Sequence, residues 1–404
     1  MKIVIDARYL SADHSGIGVH SELMLKHLSA LEQNYEFTVI VHRSFDRRLG
    51  LGKNFEIVRA DARPVSFRSI YGAIDRILDE VKPDVFHSLF PLVPYRYTGP
   101  TIVTVYDLQP FTVGDFTGKR NPILRYGYDV FYRWAYQTAF NRADVLITTS
   151  EYTRSTMRQM FPKAAHRTLV VPCGLNDAFF RPITVESKRA VWTKHRIPDR
   201  YILYVGSTRP NKNLPRMLQA FADYLLETRD PTLHFLLVVN RDRFWVDAER
   251  IIERSIPPGR VRVARQVPQD ELRVIYAGAE ALFFATKSEG FGFPVLEAQA
   301  SGVPVIAGAD GALIEVAGDG AWMVDPDDPN QLVLALKTVL GHDGLRQSLI
   351  EAGFRNCQKF TWERNARMTL DIYRYMFDPA EYTIERREDE SVYGRGMIGA
   401  PQLY

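Results

Sequence analysis

The chain has 404 residues, of which 46% are apolar and 25% charged, and its 51 basic and 48 acidic side chains give a net charge of +3. This near balance argues against nucleic-acid binding by bulk charge, and the 2 cysteines are too few for a disulfide framework or a cysteine metal site. The length predicts two domains of roughly 150 to 200 residues.

The first residues, Met1-Lys-Ile-Val-Ile-Asp6, are typical of a strand, not of a signal peptide. No apolar run approaches the length of about 18 residues needed to span a membrane. We therefore expect a cytoplasmic protein with at most peripheral contact at the inner face of the membrane.

Short apolar runs alternate with stretches of helical periodicity through the first half of the chain. This alternation predicts a parallel sheet covered by helices on both faces, whose ligands bind beyond the carboxyl ends of the strands. The runs lie near residues 2–7, 36–43, 55–60, 84–89, 101–107, 144–150 and 168–173.

The first strand is followed by Ser15-Gly-Ile-Gly-Val-His20, ahead of a predicted helix that reaches about Leu31. Glycines between a strand and a helix allow the backbone to approach a phosphate or a sugar, so Gly16 and Gly18 are candidate binding residues. The alternative is a tight turn that needs positive φ. The third glycine of a dinucleotide fingerprint is absent, as is a Walker-type lysine.

Three polar residues follow later strands of the first half. His87 is either a sugar ligand or a polar residue satisfied within the fold. Tyr106 and Asp107 lie within Thr104-Val-Tyr-Asp-Leu-Gln-Pro110, the segment that ends another predicted strand. Tyr106 can hydrogen-bond a sugar, but its ordinary pKa of about 10 makes it a poor base near neutral pH. Asp107 can orient the acceptor hydroxyl or accept its proton, or it can cap the next turn.

The segment from Lys119 to Tyr136 mixes aromatic residues with arginines. Such a helix can lie against a bilayer and present a lipid-linked acceptor. Alternatively, it packs its aromatic stripe inward, against the domain.

The strand and helix alternation restarts at Tyr201 and predicts a second doubly wound domain. Its runs lie at residues 201–206, 234–240, 260–267, 281–286, 304–307 and 322–325. Turn formers from Pro172 to Pro182 and a charged stretch interrupt the pattern before Tyr201. We therefore assign residues 1–182 and 183–360 to the two domains and expect the site in the cleft between them.

The restart strand leads into Gly206-Ser-Thr-Arg-Pro-Asn-Lys-Asn213, a turn ahead of an amphipathic helix that begins at Leu214. A diphosphate leaving group gains negative charge as its bond breaks, and fixed cations there stabilise the transition state more than the ground state. Lys212 and Arg209 are the candidate cations. The alternative is a solvated basic turn.

The most informative motif is Glu289-Gly-Phe-Gly-Phe-Pro-Val-Leu-Glu297, followed by Ala298-Gln-Ala-Ser-Gly-Val-Pro-Val-Ile306. Pro294 suits a helix start, so we place this start at Phe293 or Pro294, with Glu297 in the first turn and the end near Gly302. The glycines allow close backbone approach, and the helix start favours an anion of the phosphate type. Glutamates at both ends of an anion-binding loop suit an activated sugar. Otherwise they are a solvated loop residue and a helix residue.

This motif resembles the paired-glutamate signature of the retaining glycosyltransferases of family 4, which have the two-domain GT-B fold and use nucleotide-diphosphate sugars. The resemblance implies that Glu289 contacts the donor sugar and that Glu297 holds the ribose hydroxyls. The diphosphate would contact the backbone amides of Gly290, Phe291, Gly292 and Phe293.

The resemblance extends to the other candidate residues. Lys212 resembles the family's lysine at this position, with Arg209 as companion cation, although Ser207 stands where some members carry arginine. Gly16 and Gly18 resemble the family's first glycine loop, near donor phosphate and acceptor. Tyr106 stands where many relatives have histidine, so that histidine's role does not carry over, whereas Asp107 matches.

The family implies transfer of a hexose, with retained configuration and without a metal, to a hydroxyl of a glycan or a lipid-linked acceptor. GDP-mannose is the favoured donor, followed by UDP-sugars. The acidic cluster Asp325-Pro-Asp-Asp-Pro329 suits a helix cap better than a metal site. A nucleotide-sugar epimerase and a non-catalytic binding protein are the alternatives. Residues 361–378 resemble the family's crossing helix that returns to the first domain, and residues 379–404 have no assigned role.

Overall fold

The computed structural model describes residues 1–10, 16–64, 66–113 and 121–378. Ser15, the start of the segment from Lys119, and residues 379–404 lie outside the described residues. The described residues divide into two compact units: unit 1 contains Met1–Gly174 and residues 360–378, and unit 2 contains Leu175–Lys359.

Unit 1 is built on a seven-stranded parallel sheet of order β3-β2-β1-β4-β5-β6-β7. The strands are β1 (Lys2–Asp6), β2 (Glu36–His42), β3 (Phe55–Ala60), β4 (Val85–Ser88), β5 (Thr101–Val105), β6 (Val145–Thr148) and β7 (Thr168–Val170). The central strands β4, β5 and β6 are buried along their whole length, as expected for a parallel sheet covered on both faces.

The helices of unit 1 connect these strands. They are α1 (Gly16–Leu31), α2 (Phe67–Ile70), α3 (Asp75–Val81), α4 (Gln109–Thr112), α5 (Pro122–Arg142), α6 (Glu151–Met160) and α7 (Pro162–Ala165). Side-chain caps set the starts of the longer helices. Asn121 Oδ1 accepts from the amides of Ile123 and Leu124 in α5, and the Ser150 hydroxyl accepts from Thr153 N in α6.

Unit 2 contains a six-stranded parallel sheet of order β10-β9-β8-β11-β12-β13. The strands are β8 (Tyr201–Gly206), β9 (His234–Val239), β10 (Val261–Ala264), β11 (Ala281–Phe284), β12 (Val305–Gly308) and β13 (Ala321–Val324). The order reverses between β8 and β11, and open α/β sheets bind their ligands beyond the strand ends at such a reversal.

The helices of unit 2 cover both faces of its sheet. They are α8 (Val185–His195), α9 (Leu214–Thr228), α10 (Trp245–Ser255), α11 (Gln269–Tyr276), α12 (Phe293–Ala300), α13 (Gly311–Ala317), α14 (Pro329–Gly341) and α15 (Asp343–Cys357). Short 3₁₀ turns occupy Asp177–Phe180, Pro210–Lys212 and Gly318–Gly320.

The last described helix, α16 (Trp362–Phe377), belongs to unit 1. Its Asn365 side chain donates to Pro172 O at 2.8 Å, and its Tyr373 hydroxyl lies 2.7 Å from His87 Nδ1. Gly174 lies so close to the start of α16 that a Cβ there would be 2.3 Å from Trp362 N. These contacts hold the returning helix on the sheet of unit 1.

The predicted fold class is confirmed, since every predicted apolar run overlaps a strand of one of the two parallel sheets. The division of the chain falls after Gly174, earlier than the assigned boundary at residue 182 but inside the interrupted stretch. Among the described residues, no helix is both long enough and apolar enough to span a bilayer.

Candidate functional site

The predicted residues of unit 2 lie beyond the carboxyl ends of strands that are neighbours in its sheet. Lys212 follows β8, and Glu289 follows β11, on the two sides of the reversal in strand order. Residues 77 positions apart in the chain thereby come into contact.

Lys212 and Glu289 form an ion pair in which Nζ donates to both carboxylate oxygens at 2.7 Å. The side chains are 19% and 9% exposed, so the pair is largely shielded from water. Lys212 Nζ also lies 5.8 Å from the centre of the Phe284 ring. A cation and an anion are thus held together in a partly dry site, where they act more strongly on a bound ligand than they would in water.

Asparagines hold the turn that carries Lys212 against the segment that carries Glu289. The Asn213 side chain donates to Ala285 O at 3.0 Å, and the Asn211 side chain donates to Ser288 O at 3.0 Å. Asn213 has φ of 56°, a left-handed conformation that asparagine tolerates well, and it separates the 3₁₀ turn from α9. These contacts explain why Lys212 reaches Glu289.

Arg209 is placed differently from Lys212. It caps the same 3₁₀ turn, but it is exposed, and its side chain makes no ion pair or hydrogen bond within the described residues. Its role as a companion cation stays a prediction.

The loop from Gly290 to Phe293 leads directly into α12, whose start at Phe293 matches the prediction. Gly292 has φ of 111°, and a Cβ there would lie 2.5 Å from Leu313 Cδ2. Both a backbone conformation that favours glycine and a close neighbour therefore require Gly292. Gly290 and Phe291 are buried, and the rings of Phe291 and Phe293 meet edge to face at 5.2 Å.

The placement of Glu297 in the first turn of α12 is wrong: the first turn holds no acidic residue. The left-handed Gly292 lets the helix begin at Phe293, ahead of Pro294, which puts Glu297 into the second turn. The helix ends at Ala300, two positions before Gly302, whose φ is 70°.

Glu297 is a buried carboxyl group whose Oε2 accepts a 2.8 Å hydrogen bond from the Tyr276 hydroxyl. Burial raises the pKa of Glu297 to about 7, partly offset by this hydrogen bond. Burial likewise raises the pKa of Tyr276 well above its ordinary value. Tyr276, in α11, was not among the residues predicted from the sequence.

A second residue that the sequence reasoning missed is Asp310. It follows β12, the neighbour of β11, and its Oδ2 accepts a hydrogen bond from Glu289 N at 3.1 Å. Burial raises its pKa to about 6, the backbone amide of Glu289 opposes this rise, and the Glu289 carboxylate adds to it. Its position after the run 304–307 would have identified it, had the rule about carboxyl ends been applied to that strand.

In unit 1, the prediction that Gly16 and Gly18 lie in a loop between β1 and α1 is wrong. Helix α1 begins at Gly16, so Gly16 and Gly18 are helical residues. Neither has positive φ, so the alternative of a left-handed tight turn is wrong as well. Their role in binding stays a prediction.

Tyr106 contacts His20, a residue of α1 that was not selected from the sequence. The Tyr106 hydroxyl lies 2.9 Å from His20 Nδ1, and the His20 ring also meets Trp362 edge to face at 5.2 Å. Burial lowers the pKa of His20 to about 3 and raises that of Tyr106 well above its ordinary value. Both side chains are therefore neutral near pH 7, so Tyr106 is unsuited to act as a base.

Asp107 and His87 are both engaged within unit 1. Asp107 Oδ1 accepts from Gln109 N at 3.0 Å, the interaction expected of a residue that caps a turn. His87 is 1% exposed, with Nδ1 2.7 Å from the Tyr373 hydroxyl and Nε2 2.8 Å from Thr104 Oγ1. This is the geometry of a satisfied core histidine, and burial lowers its pKa to about 3. Substrate contact by either residue stays a prediction.

The acidic cluster after β13 contains a helix cap, as expected. Asp328 Oδ1 accepts from the amides of Asn330 and Gln331 at the start of α14. No group of three or more His, Cys, Asp or Glu side chains able to hold a metal ion occurs in the described ranges. A reaction without a metal stays a prediction.

Replacing Gly292 with alanine is expected to destabilise the loop and lower activity, because a Cβ would both strain the backbone and strike Leu313. The matched control is Gly259→Ala: Gly259 also has positive φ, 83°, but nothing lies within 4 Å of its Cβ position. The midpoint temperature of thermal unfolding and the turnover rate should both decrease more in Gly292→Ala than in Gly259→Ala. Equal losses would show that backbone strain alone acts at position 292.

Comparison with known proteins identifies the family and the fold. Residues 14–179 match the family model for Glycosyltransferase Family 4, and residues 190–356 match that for Glycosyl transferases group 1. Sucrose-phosphate synthase from Thermosynechococcus elongatus has a similar structure, with a TM-score of 0.76 and 20% identity over 94% of this chain and 100% of that one. The fold is therefore the GT-B fold of glycosyltransferases.

Two proteins with similar sequences are glycosyltransferases. An O-antigen chain mannosyltransferase B from Escherichia coli is 24% identical over 397 residues, covering 93% of this chain and all of that protein. A D-inositol 3-phosphate glycosyltransferase from Nocardioides sp. is 30% identical over 57% of this chain, a match that spans only 54% of the relative's length. The chain belongs to the group 1 glycosyltransferases of family 4 and is a glycosyltransferase.

Proposed function

We propose that this glycosyltransferase is a retaining enzyme that moves mannose from GDP-mannose to a hydroxyl of a glycan or a lipid-linked oligosaccharide, without a metal. The likeness to an O-antigen mannosyltransferase over 93% of the chain supports the choice of mannose. A UDP-sugar is the next candidate donor.

The observation that carries the proposal is the ion pair of Lys212 and Glu289 beside the loop that opens α12. A donor diphosphate placed against the start of the helix would meet backbone amides and the Lys212 ammonium. These groups stabilise the negative charge that grows on the diphosphate as the glycosidic bond breaks. Glu289 would then be released to contact the sugar.

The remaining roles follow the order of groups in the donor. Glu297, near the start of α12 and held by Tyr276, would accept hydrogen bonds from the ribose hydroxyls. Asp107, beyond β5 in unit 1, would orient the attacking acceptor hydroxyl. Attack on the face from which the diphosphate leaves gives retention of configuration.

A donor panel with and without acceptor tests the function. GDP-mannose, GDP-glucose, UDP-glucose and UDP-galactose are each incubated with the protein and a polyprenol-linked or soluble oligosaccharide acceptor. Release of nucleoside diphosphate that depends on acceptor marks a transferase. Conversion of the donor sugar without acceptor marks an epimerase, and binding without turnover marks a binding protein. Either of the last two outcomes contradicts the proposal.

The proposal includes peripheral membrane contact, for which α5 offers a surface. The helix buries Phe131, Ala135, Ala139 and Phe140, as one sequence alternative predicted, but its first half exposes its large side chains. We group these side chains, which lie on more than one side of α5, with exposed residues of the segment 67–95 and name the set the aromatic face; it consists of Phe67, Tyr71, Tyr95, Ile123, Leu124, Tyr126, Tyr128, Val130 and Trp134.

Ring contacts link two members of the aromatic face, and arginines are next to both of them in the sequence. The Phe131 ring joins Phe67 at 4.4 Å and Trp134 at 6.1 Å. Exposed arginines are next to members of this set in the sequence: Arg68 follows Phe67, and Arg133 precedes Trp134. Apolar and aromatic side chains combined with basic ones suit the interface of an anionic bilayer, which is where a lipid-linked acceptor is found.

Replacing Ile123, Leu124 and Tyr126 together with serine is expected to reduce binding to phosphatidylglycerol vesicles by at least about tenfold, because their apolar area is lost from the interface. Cosedimentation measures the bound fraction. Turnover of a soluble acceptor should be unchanged. The control replaces Val185 and Leu226, equally exposed apolar residues of unit 2, with serine. Equal vesicle binding by the wild type and both variants would contradict the assignment of the face.

A further inference from the structure

The buried carboxyl group of Asp310 is outside the set of residues to which the resemblance gives a role. Asp310 is 8% exposed and lies at the start of α13, directly after β12. Its Oδ2 accepts the 3.1 Å hydrogen bond from Glu289 N. It contacts the main chain of Glu289, whereas Lys212 contacts the side chain.

Glu289 is therefore held at two points by segments from opposite directions in the chain. Lys212, 77 residues earlier, fixes the carboxylate, and Asp310, 21 residues later, fixes the amide. The direction in which the Glu289 side chain leaves the backbone depends on the second contact, because an amide that is held restricts φ at that residue.

The segment that begins at Asp310 also contacts the far end of the loop. Leu313, in α13, lies against Gly292, where a Cβ would approach its Cδ2 to 2.5 Å. Asp310 and Leu313 thus contact the residues at the two ends of the loop 289–292. Both contacts come from one short segment, so this segment sets the shape of the loop.

Asp310 precedes α13, a position where aspartate is a usual helix cap, but its carboxyl group also accepts from the amide of Glu289, which belongs to a different segment of the chain. Burial and the nearby Glu289 carboxylate raise the pKa of Asp310, whereas the backbone amides of Glu289, Gly311 and Ala312 oppose this rise.

We propose that Asp310 is a positioning residue: by holding the amide of Glu289 it directs the Glu289 side chain toward the donor and sets the loop for the diphosphate. This inference rests on the proposed transferase function. Asp310 itself contacts no reacting atom in this proposal.

Asp310→Ala and Asp310→Asn test the proposal by rescue. Alanine removes the acceptor, and kcat is expected to fall at least about tenfold with a smaller change in the donor KM. Asparagine offers an amide oxygen to the same N–H and should restore kcat to within about threefold of the wild type. Wild-type kcat in the alanine variant, or an asparagine variant as slow as alanine, would overturn the proposal.

Hydrogen exchange measured by mass spectrometry provides a readout that does not depend on turnover. The peptide that contains the Glu289 amide should exchange faster in Asp310→Ala and at the wild-type rate in Asp310→Asn. If the alanine variant does not fold, Asp310→Ser, which keeps a residue suited to the helix start but shortens the acceptor, replaces it. Unchanged exchange in the alanine or serine variant would also overturn the proposal.

The matched control is Asp230→Ala. Asp230 also accepts from backbone amides, those of Thr232 and Leu233, but it precedes β9 and so lies at the amino end of the same sheet. Its replacement should lower stability and leave kcat unchanged. If the wild type shows no acceptor-dependent release with any donor, the transferase proposal fails, while the exchange data still decide whether Asp310 holds Glu289.

Discussion

Replacing Glu289 with alanine is expected to lower acceptor-dependent turnover by at least about tenfold, equivalent to about 1.4 kcal/mol of barrier. The variant loses the proposed contact with the donor sugar. It also leaves the Lys212 ammonium without the carboxylate that accepts from it at 2.7 Å, although the Lys212 side chain is only 19% exposed in the wild type. Initial rates at saturating donor measure the change.

Lys212→Ala is expected to have an effect of at least the same size, because the diphosphate would lose a cation and the buried Glu289 carboxylate would lose its counter-charge. Since the two side chains contact each other, the double variant should lose less than the sum of the two single effects. The control is the ion pair of Lys337 and Glu227, which is 3.0 Å long and far more exposed. Alanine at Lys337 should leave turnover unchanged. Wild-type rates in both Glu289→Ala and Lys212→Ala would remove the site assignment.

Replacing Glu297 with glutamine is expected to stabilise the protein at alkaline pH while weakening donor binding. Burial raises the pKa of Glu297 from 4.5 to about 7, so between these values the folded protein binds more protons than the unfolded chain. Its stability therefore decreases as pH rises through this window. Glutamine carries no charge and can still accept from the Tyr276 hydroxyl.

The free energy of unfolding in urea, measured at pH 5 and pH 8, checks this prediction. The variant should exceed the wild type by on the order of 1 to 3 kcal/mol at pH 8, and the difference should shrink at pH 5. Donor affinity, measured by calorimetry, should fall because an amide replaces the carboxylate proposed to hold the ribose. Glu227→Gln, at an exposed site, is the control. A Glu297→Gln variant with the same stability as the wild type at pH 8 would contradict the raised pKa.

The sheets and the ion pair follow from features that lie close together in the sequence. Buried parallel strands appear as short apolar runs, and each run from residues 2–7 to 322–325 overlaps one. The rule that ligands bind beyond strand ends then selects Lys212 after β8 and Glu289 after β11. The start of α12 was predictable because Gly292 and Pro294 are local signals.

The features that the sequence reasoning missed depend on tertiary contacts. Asp310 contacts Glu289 because β12 lies beside β11, and the order of strands in a sheet is not given by any local signal, although the position of Asp310 after a predicted strand was visible in the sequence. The contact that engages the His87 ring comes from Tyr373, 286 residues later in the chain. The outward side chains of α5 could not be distinguished from inward ones, because the helix has apolar residues on more than one side.

The return of α16 to unit 1 has a consequence for the making of this protein. The polypeptide leaves unit 1 at Gly174 and rejoins it at Phe360, so unit 2 is an insertion within the chain of unit 1. During synthesis on the ribosome, the strands of unit 1 emerge first, but the contact between Tyr373 and His87 can form only after α16 has been synthesised. Unit 2 has its whole sequence available earlier and can complete its folding sooner. A fragment that stops at residue 174 would lack this covering helix, whereas the interval 175–359 is the better choice for expression as an isolated domain.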